Sequence, residues 1–479
     1  MHLLPARGPN HLDLRCRRTA GSRLCGISSG VLLAAAGLLL PATARALPSF
    51  ARQTSLSCTA CHLDYPELTP VGRQFKLGGY TMSSDTSKMP PFAVMLLPSF
   101  THTARSQAGG AAPGFRDNNN FALTQASVFY AGRLFGPYAG SLFGQDFAAV
   151  VDKIGIFSQV AYDGIAKTWA WDNVELRFAE SGKLGGHAAS YGFYANNNPT
   201  MQDPWNSTPV WNAPFSSSGL APTPAAAPML DGGFAQQVAG AGAYAMFDGK
   251  LYVDLAAYHT LGSRLQKSLG VDPTVEAQIG GLAPYWRVAA QQTVGGGVLE
   301  FGTFGMASRT YPERDGSAGR DRIVDVGLDT QYDLSFGKND LSANLSWIHE
   351  RQTWTASEAL GLAANPVDTL RSRKATVHYL RDQTYGLTGQ YFAVSGNTDT
   401  VRFGDSRTGS PNSSGFMLQA DFLPLNKGGG PRVWPKSNVK ITVQYVAYRK
   451  FDGARTNYDG AGRNASDNNT LYLETWFAF

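Results

Sequence analysis

From about residue 92 to the end of the chain, apolar and polar residues alternate with a period of two, the pattern of strands whose two faces meet different environments. Across 323–336 one face carries Val324, Val326, Leu328, Tyr332, Leu334 and Phe336, and the other Asp325, Gly327, Asp329, Gln331, Asp333 and Ser335. Leu341, Ala343, Leu345 and Trp347 alternate in the same way with Asp340, Ser342, Asn344 and Ser346. Val439, Ile441, Val443 and Tyr445 alternate with Lys440, Thr442 and Gln444. A sandwich would also alternate, but acidic ladders on one face of several strands suit a water-filled lumen better. The pattern predicts an all-β fold, an antiparallel transmembrane β-barrel of about sixteen strands. The strands are expected near 92–105, 120–134, 154–164, 167–179, 186–195, 233–246, 250–261, 284–294, 297–308, 321–335, 339–351, 373–382, 385–395, 414–423, 438–449 and 469–479.

Connection lengths supply an independent check. Links after odd-numbered strands are mostly long (106–119, 196–232, 262–283, 352–372, 450–468), and those after even-numbered strands are mostly tight, as expected of outside loops and periplasmic turns. Two links, 135–153 and 424–437, are long where turns are expected; a register error or a short periplasmic helix would account for either. The last strand ends in Phe479 with apolar residues at alternate positions, which resembles the signal read by outer-membrane assembly machinery.

Composition agrees with a barrel girdled by aromatic residues: 53 glycines, 20 tyrosines, 26 phenylalanines and 9 tryptophans, with only 16% charged residues. A formal net charge of +5 is small for this length, and no basic stripe or phosphate-cradling loop points to nucleic acid. Residues 1–46 read as a signal peptide: Arg15, Arg17, Arg18 and Arg23, an apolar run over 27–40, and small residues at Ala44 and Ala46. Export and the barrel together place the protein in the bacterial outer membrane, in contact with its lipid bilayer.

Cys58, Thr59, Ala60, Cys61 and His62 form a C-x-x-C-H motif, the attachment site of a c-type haem. Two thiols at this spacing can form thioethers to the two vinyl groups, and His62 follows as proximal iron ligand. A redox dithiol or half of a zinc site would use the same two cysteines, but the adjacent His and the lack of a second Cys/His pair argue against both. Cys16 and Cys25 fall in the signal peptide, so one covalent haem c is expected and no disulfide. The sixth iron ligand has four candidates: Met82, Met89, Met95 and His102. Alternation along 92–105 puts Met95, Ser99, Thr101 and Thr103 in the lumen and His102 outside, which favours Met95, with Met82 second.

Residues 47–91 are too few to bury a core of their own and are expected to lie in the lumen as a haem c-binding plug, with 92–479 forming the barrel. Arg52, Arg73 and Lys76 can then meet haem propionates or the acidic wall at Asp325, Asp329 and Asp333. Nothing in 63–105 offers a convincing distal His for peroxidase-like chemistry.

The motif, residues 50–53 before it, and the run Pro-Glu-Leu-Thr-Pro-Val-Gly-Arg-Gln-Phe-Lys-Leu-Gly-Gly-Tyr over 66–80 resemble the outer-membrane fused cytochrome–porin family of iron-oxidising bacteria. The likeness spans nearly the whole chain after residue 46. It implies a monohaem cytochrome c in a porin-like barrel, an Fe(II) oxidase that accepts electrons from extracellular Fe(II) and passes them to a periplasmic electron carrier, a cytochrome c or copper protein. It carries Cys58, Cys61 and His62 over as haem residues. Two alternatives stand beside it: a conduit for other extracellular donors or acceptors, and a porin whose haem is structural.

Overall fold

The computed structural model describes residues 48–84, 90–214, 216–273, 278–427, 429–431 and 436–479. The proposed signal peptide and Met89 lie outside the described residues. The strands are β1 (Phe92–Thr103), β2 (Asn120–Arg133), β3 (Ile154–Asp163), β4 (Thr168–Leu184), β5 (His187–Asn196), β6 (Val238–Phe247), β7 (Leu251–Thr260), β8 (Gln278–Ile279), β9 (Ala283–Val294), β10 (Gly297–Tyr311), β11 (Asp321–Phe336), β12 (Asn339–Thr353), β13 (Val367–Arg381), β14 (Tyr385–Gly396), β15 (Ser413–Phe422), β16 (Asn438–Lys450) and β17 (Thr470–Ala478). All but the two-residue β8, which pairs with the loop end of β10, are long. These sixteen long strands pair antiparallel with their sequence neighbours, and β1 pairs with β17 from Met95↔Ala478 to Thr103↔Thr470. The sheet is therefore a closed barrel with no open edge, the condition for strands to cross a bilayer with every backbone group satisfied.

Each of the sixteen expected strands is present. The largest boundary differences are at β4, which ends at Leu184, β6, which begins at Val238, and β13, which begins at Val367. The long 135–153 link is explained by two short helices, Ala139–Phe143 and Gln145–Val151. In the 424–437 link no helix occurs among the described residues.

Polarity is inverted relative to a water-soluble protein. Phe121, Phe193, Leu255, Phe301, Leu345 and Leu418 are exposed on the outside. Asp325, Asp329, Asp333, Ser342, Lys440 and Glu474 are buried inside. The apolar exterior and closed ladder make this an outer-membrane barrel. The 197–237 link is not a simple outside loop. It folds into the lumen, where Ser207 donates to Asp329 (2.5 Å), Gln390 Nε2 to the Ala213 carbonyl (2.6 Å), and the Leu230 amide to Asp325 (2.7 Å).

Two outcomes follow. Unboiled protein should migrate differently from boiled protein on a detergent gel; identical migration would contradict a closed barrel. Leu345→Arg, on the lipid face in the middle of β12, should lower the unfolding free energy in lipid vesicles by ~2–4 kcal/mol, measured by urea titration of tryptophan fluorescence.

Candidate functional site

Residues 48–84 form a plug of three short helices inside the barrel. The first, Pro48–Thr54, is fixed by Gln53, whose Nε2 donates to the carbonyls of Tyr80 (2.6 Å) and Met82 (2.8 Å). Its Oε1 accepts from the Arg133 amide at the end of β2 (2.9 Å). Phe50 stacks on Tyr80 with ring centroids 5.6 Å apart and meets Phe75 edge-on at 4.8 Å. The second helix is the single turn Cys58–Cys61, closed by the His62 amide on the Cys58 carbonyl (2.9 Å).

Thr69 ties this turn to the third helix, Pro70–Leu77. Its amide donates to the Cys61 carbonyl (3.0 Å), its hydroxyl donates to the Ala60 carbonyl (2.5 Å), and it accepts from the Gly72 amide as N-cap (3.2 Å). Gly72 is required here, because a Cβ would stand 2.1 Å from the Cys61 carbonyl oxygen. The Thr-Pro-Val-Gly run thus presses a helix against the Cys-x-x-Cys turn.

Polar anchors hold the plug to the wall around the barrel. Arg73 pairs with Asp333 of β11, and Tyr80 donates to Glu175 of β4 (2.8 Å). Lys440 of β16 pairs with Asp64 (3.0 Å), and His378 of β13 with Glu67 (3.1 Å). Lys76 donates to the Asp203 carbonyl (2.6 Å) and the Asn206 side chain (2.7 Å) of the infolded link. Of the charges expected to meet propionates or the acidic wall, Arg73 meets the wall at Asp333. Arg52 instead donates to the Phe92 carbonyl at the start of β1. Asp64, His378 and Asp421 bring one ligand atom each within 4.8 Å of one another. The Lys440 ammonium lies between the two carboxylates, 3.0 Å from Asp64 and 3.7 Å from Asp421, so this group is an internal ion-pair cluster.

Between the plug, the infolded link and strands β1–β4 lies a cavity with about 1440 Å³ of atom-free space, including its open mouth. Cys61 and His62 line it together with Phe50, Leu68, Phe75, Phe129, Trp211 and Trp476. Met95 and Leu97 of β1 are also on its wall, and Met95 is 4% exposed. Cys58 is fully buried against Ala51 and Tyr65, one layer behind that wall. Met82 is 44% exposed and is not part of the cavity lining. His102 stands on a non-lumenal position of β1, where its Nδ1 donates to the Asn119 side-chain oxygen (2.8 Å).

In residue type the motif suits a covalent haem, and Cys61 and His62 border the cavity while Cys58 lies behind its wall. Burial pushes the Cys58 thiol up to about 12 and that of Cys61 to about 11, so neither has the accessible thiolate of a redox dithiol. Burial also holds His62 down at about 4, against the opposing pull of the Glu67 backbone and Asp64, leaving a neutral imidazole of the kind that ligates metals. Its Nδ1 is buried without a well-formed hydrogen bond beside that Glu67 backbone, the usual place for an outer-shell partner of a ligating His. Trp476 Nε1 is a second buried donor at the cavity without a partner among the described residues. Burial brings Lys76 down to about 7, with Asp203 and Glu175 resisting. A second opening, lined by Thr59, His62 and Leu63 with Lys338, Asp340, Asp382 and Lys427, joins the motif to the short-turn end of the barrel.

Tyr65, Trp211 and Trp476 were not legible as site residues. Trp211 lies in a link read only as an outside loop, and Tyr65 is brought to Trp476 (ring centroids 4.7 Å) by docking of the plug.

No protein-family model matches the chain. No curated protein matches it. Among solved structures it is similar to OmpF of Salmonella typhi, solved with daunomycin (11% identity, 81% of this chain and 97% of that one, TM-score 0.43). It is also similar to an anion-selective porin from Comamonas acidovorans (11% identity, 81% and 98%, TM-score 0.43) and to OmpT of Vibrio cholerae (9% identity, 81% and 96%, TM-score 0.40). The closed ladder from β1 to β17, rather than these distant overlaps, establishes the barrel.

Asp333→Ala should leave Arg73 buried without its counter-charge and weaken plug docking by ~3–5 kcal/mol. Trypsin should then cut within 48–84 while the barrel stays resistant; an unchanged digestion pattern would contradict the anchoring role.

Proposed function

We propose that this chain is an outer-membrane monohaem cytochrome c that accepts electrons from extracellular Fe(II) and delivers them to a periplasmic electron carrier. The observation that carries the reading is the C-x-x-C-H turn held inside a barrel, with Cys61 and His62 of the plug and Met95 of β1 lining one aromatic-walled cavity. Attached through Cys58 and Cys61, haem c would supply one-electron chemistry: Fe(II) leaves as Fe(III), and the electron passes on to the oxidised carrier. In this reading His62 would ligate the haem iron, and Met95 is the candidate for a second protein ligand.

The chain's own residues set the conditions. Phe50, Phe75, Phe129 and Trp211 limit water around the site, and low water access is one lever on the potential. The second opening places His62 and Thr59 within reach of the short-turn side, where a periplasmic partner would dock. A porin with a structural haem has less support, because the plug and the infolded 197–237 link occupy the lumen that solutes would need. The resemblance over residues 50–80 favours Fe(II) over other donors.

Mixed anaerobically with oxidised protein, Fe(II) should convert the haem spectrum to the reduced form. Should Fe(II) leave it unchanged while another donor reduces it, the conduit reading replaces this one. Cys58→Ala combined with Cys61→Ala should abolish covalent haem, seen as loss of haem staining on a denaturing gel. Met95→Ala should lower the potential and remove the sulfur-to-iron charge-transfer band, because thioether ligation favours the reduced iron. Absence of that band in the parent protein would exclude Met ligation.

A further inference from the structure

The β3–β4 ladder is interrupted between Ser158 and Val160. Ser158 faces Val174 and Val160 faces Trp171, so Gln159 stands opposite both Asp172 and Asn173. This is a β-bulge, two residues against one, and it breaks alternation locally. In a regular strand one of two consecutive side chains would point to lipid. Here Asp172 and Asn173 both line the cavity that also holds Cys61, His62 and Met95, and Gln159 and Gln125 line it beside them.

Asp172 is the one carboxylate on that wall among the described residues. It accepts from Gln236 Nε2 (2.7 Å) and Gln125 Nε2 (3.2 Å), both neutral amides, and forms no ion pair among the described residues. Asp254 also accepts only from neutral donors, Tyr194 (2.7 Å) and Gln202 (2.9 Å), but it does not line the cavity, and several other lumenal acids have a cation. Asp333 has Arg73, Glu175 has Arg177 (2.7 Å), and Asp329 and Glu300 share Arg287 (2.9 and 3.1 Å). Neutral donors solvate a carboxylate without cancelling its charge, so a bulge that carries Asp172 inward leaves a negative charge that a cation would complete. Gln159 donates through Nε2 to Ser127 (3.0 Å), which leaves its carbonyl oxygen as a further hard donor at the same bulge. Carboxylate, amide carbonyl and water are the ligands that hard divalent cations prefer. Asp172 also stands four residues from the Thr168 end of β4, the end on the same side as the infolded link and the other long loops.

We propose that Asp172, with the Gln159 carbonyl and water, binds a hydrated divalent cation in the cavity and is the station at which Fe(II) is held before it gives up its electron. The site rests on the Fe(II)-oxidising reading for its substrate, but its chemistry is that of a divalent cation site in its own right.

Mn²⁺ tests it, being redox-inert here and visible by electron paramagnetic resonance. The haem-loaded protein should bind Mn²⁺, and Asp172→Asn, which keeps size and shape, should weaken that binding roughly tenfold or more. Fe(II) should reduce the variant's haem more slowly by a similar factor, while dithionite, an anion, reduces both proteins equally. Heat-modifiability of Asp172→Asn, alike in the two proteins, shows that the barrel has assembled. If the parent protein binds no Mn²⁺, or Asp172→Asn binds it equally well, the site is overturned even where Fe(II) reduces the haem. If Mn²⁺ binds through Asp172 but Fe(II) never reduces the haem, the cation site stands and the Fe(II)-oxidising reading falls.

Discussion

Charge compensation between the plug and the barrel wall is the interaction on which the rest of the structure depends. The alternation that puts apolar side chains against lipid also forces polar and acidic ones inward, into a lumen far narrower than bulk water. Left alone, Asp333, Asp421 and the Glu67–Asp64 pair would repel one another or need water throughout. Arg73, Lys440 and His378 meet these acids, and in each case one partner lies on the plug and the other on a strand, or one cation bridges plug and strand. Buried pairs of this kind add little net stability, but breaking one leaves an uncompensated charge, so they fix position. That position presses Cys61 and His62 against a cavity instead of into the lumen wall.

The infolded 197–237 link completes the enclosure. Asp203 and Asn206 take the Lys76 ammonium, and Arg287 of β9 pairs with Asp203 (3.1 Å), so the link is clamped between plug and wall. Trp211, whose indole donates to the Met201 carbonyl (2.9 Å), then roofs the cavity. His62 borders two spaces, one toward the β3–β4 bulge and one toward the short-turn end. A haem placed there would border both spaces, as the proposed electron transfer would need.

Much of this was legible in the sequence, because the signals were local. Period-two alternation depends only on which face meets lipid, so all sixteen long strands and the lumenal parity of Met95, Asp325, Asp329 and Asp333 could be read directly. The C-x-x-C-H spacing is likewise local chemistry. What could not be read depends on contacts distant in sequence. The link after β5 has no periodicity to reveal that it folds inward, and its partners Asp329, Gln390 and Glu474 lie far along the chain. The bulge at Asp172 is invisible for a related reason: a strand with one extra residue has ordinary composition, and only the register jump against Ser158 and Val160 reveals it.

A haem held by Cys58, Cys61 and His62 inside the barrel, as proposed, would carry electrons from one side of the membrane to the other. Vesicles containing the purified protein, with an oxidised soluble cytochrome c trapped inside and Fe(II) added outside, test it most directly. The account predicts that the trapped cytochrome becomes reduced, and that vesicles made with the Cys58→Ala, Cys61→Ala protein leave it oxidised. Reduction at the same rate in both, or in neither, would contradict it.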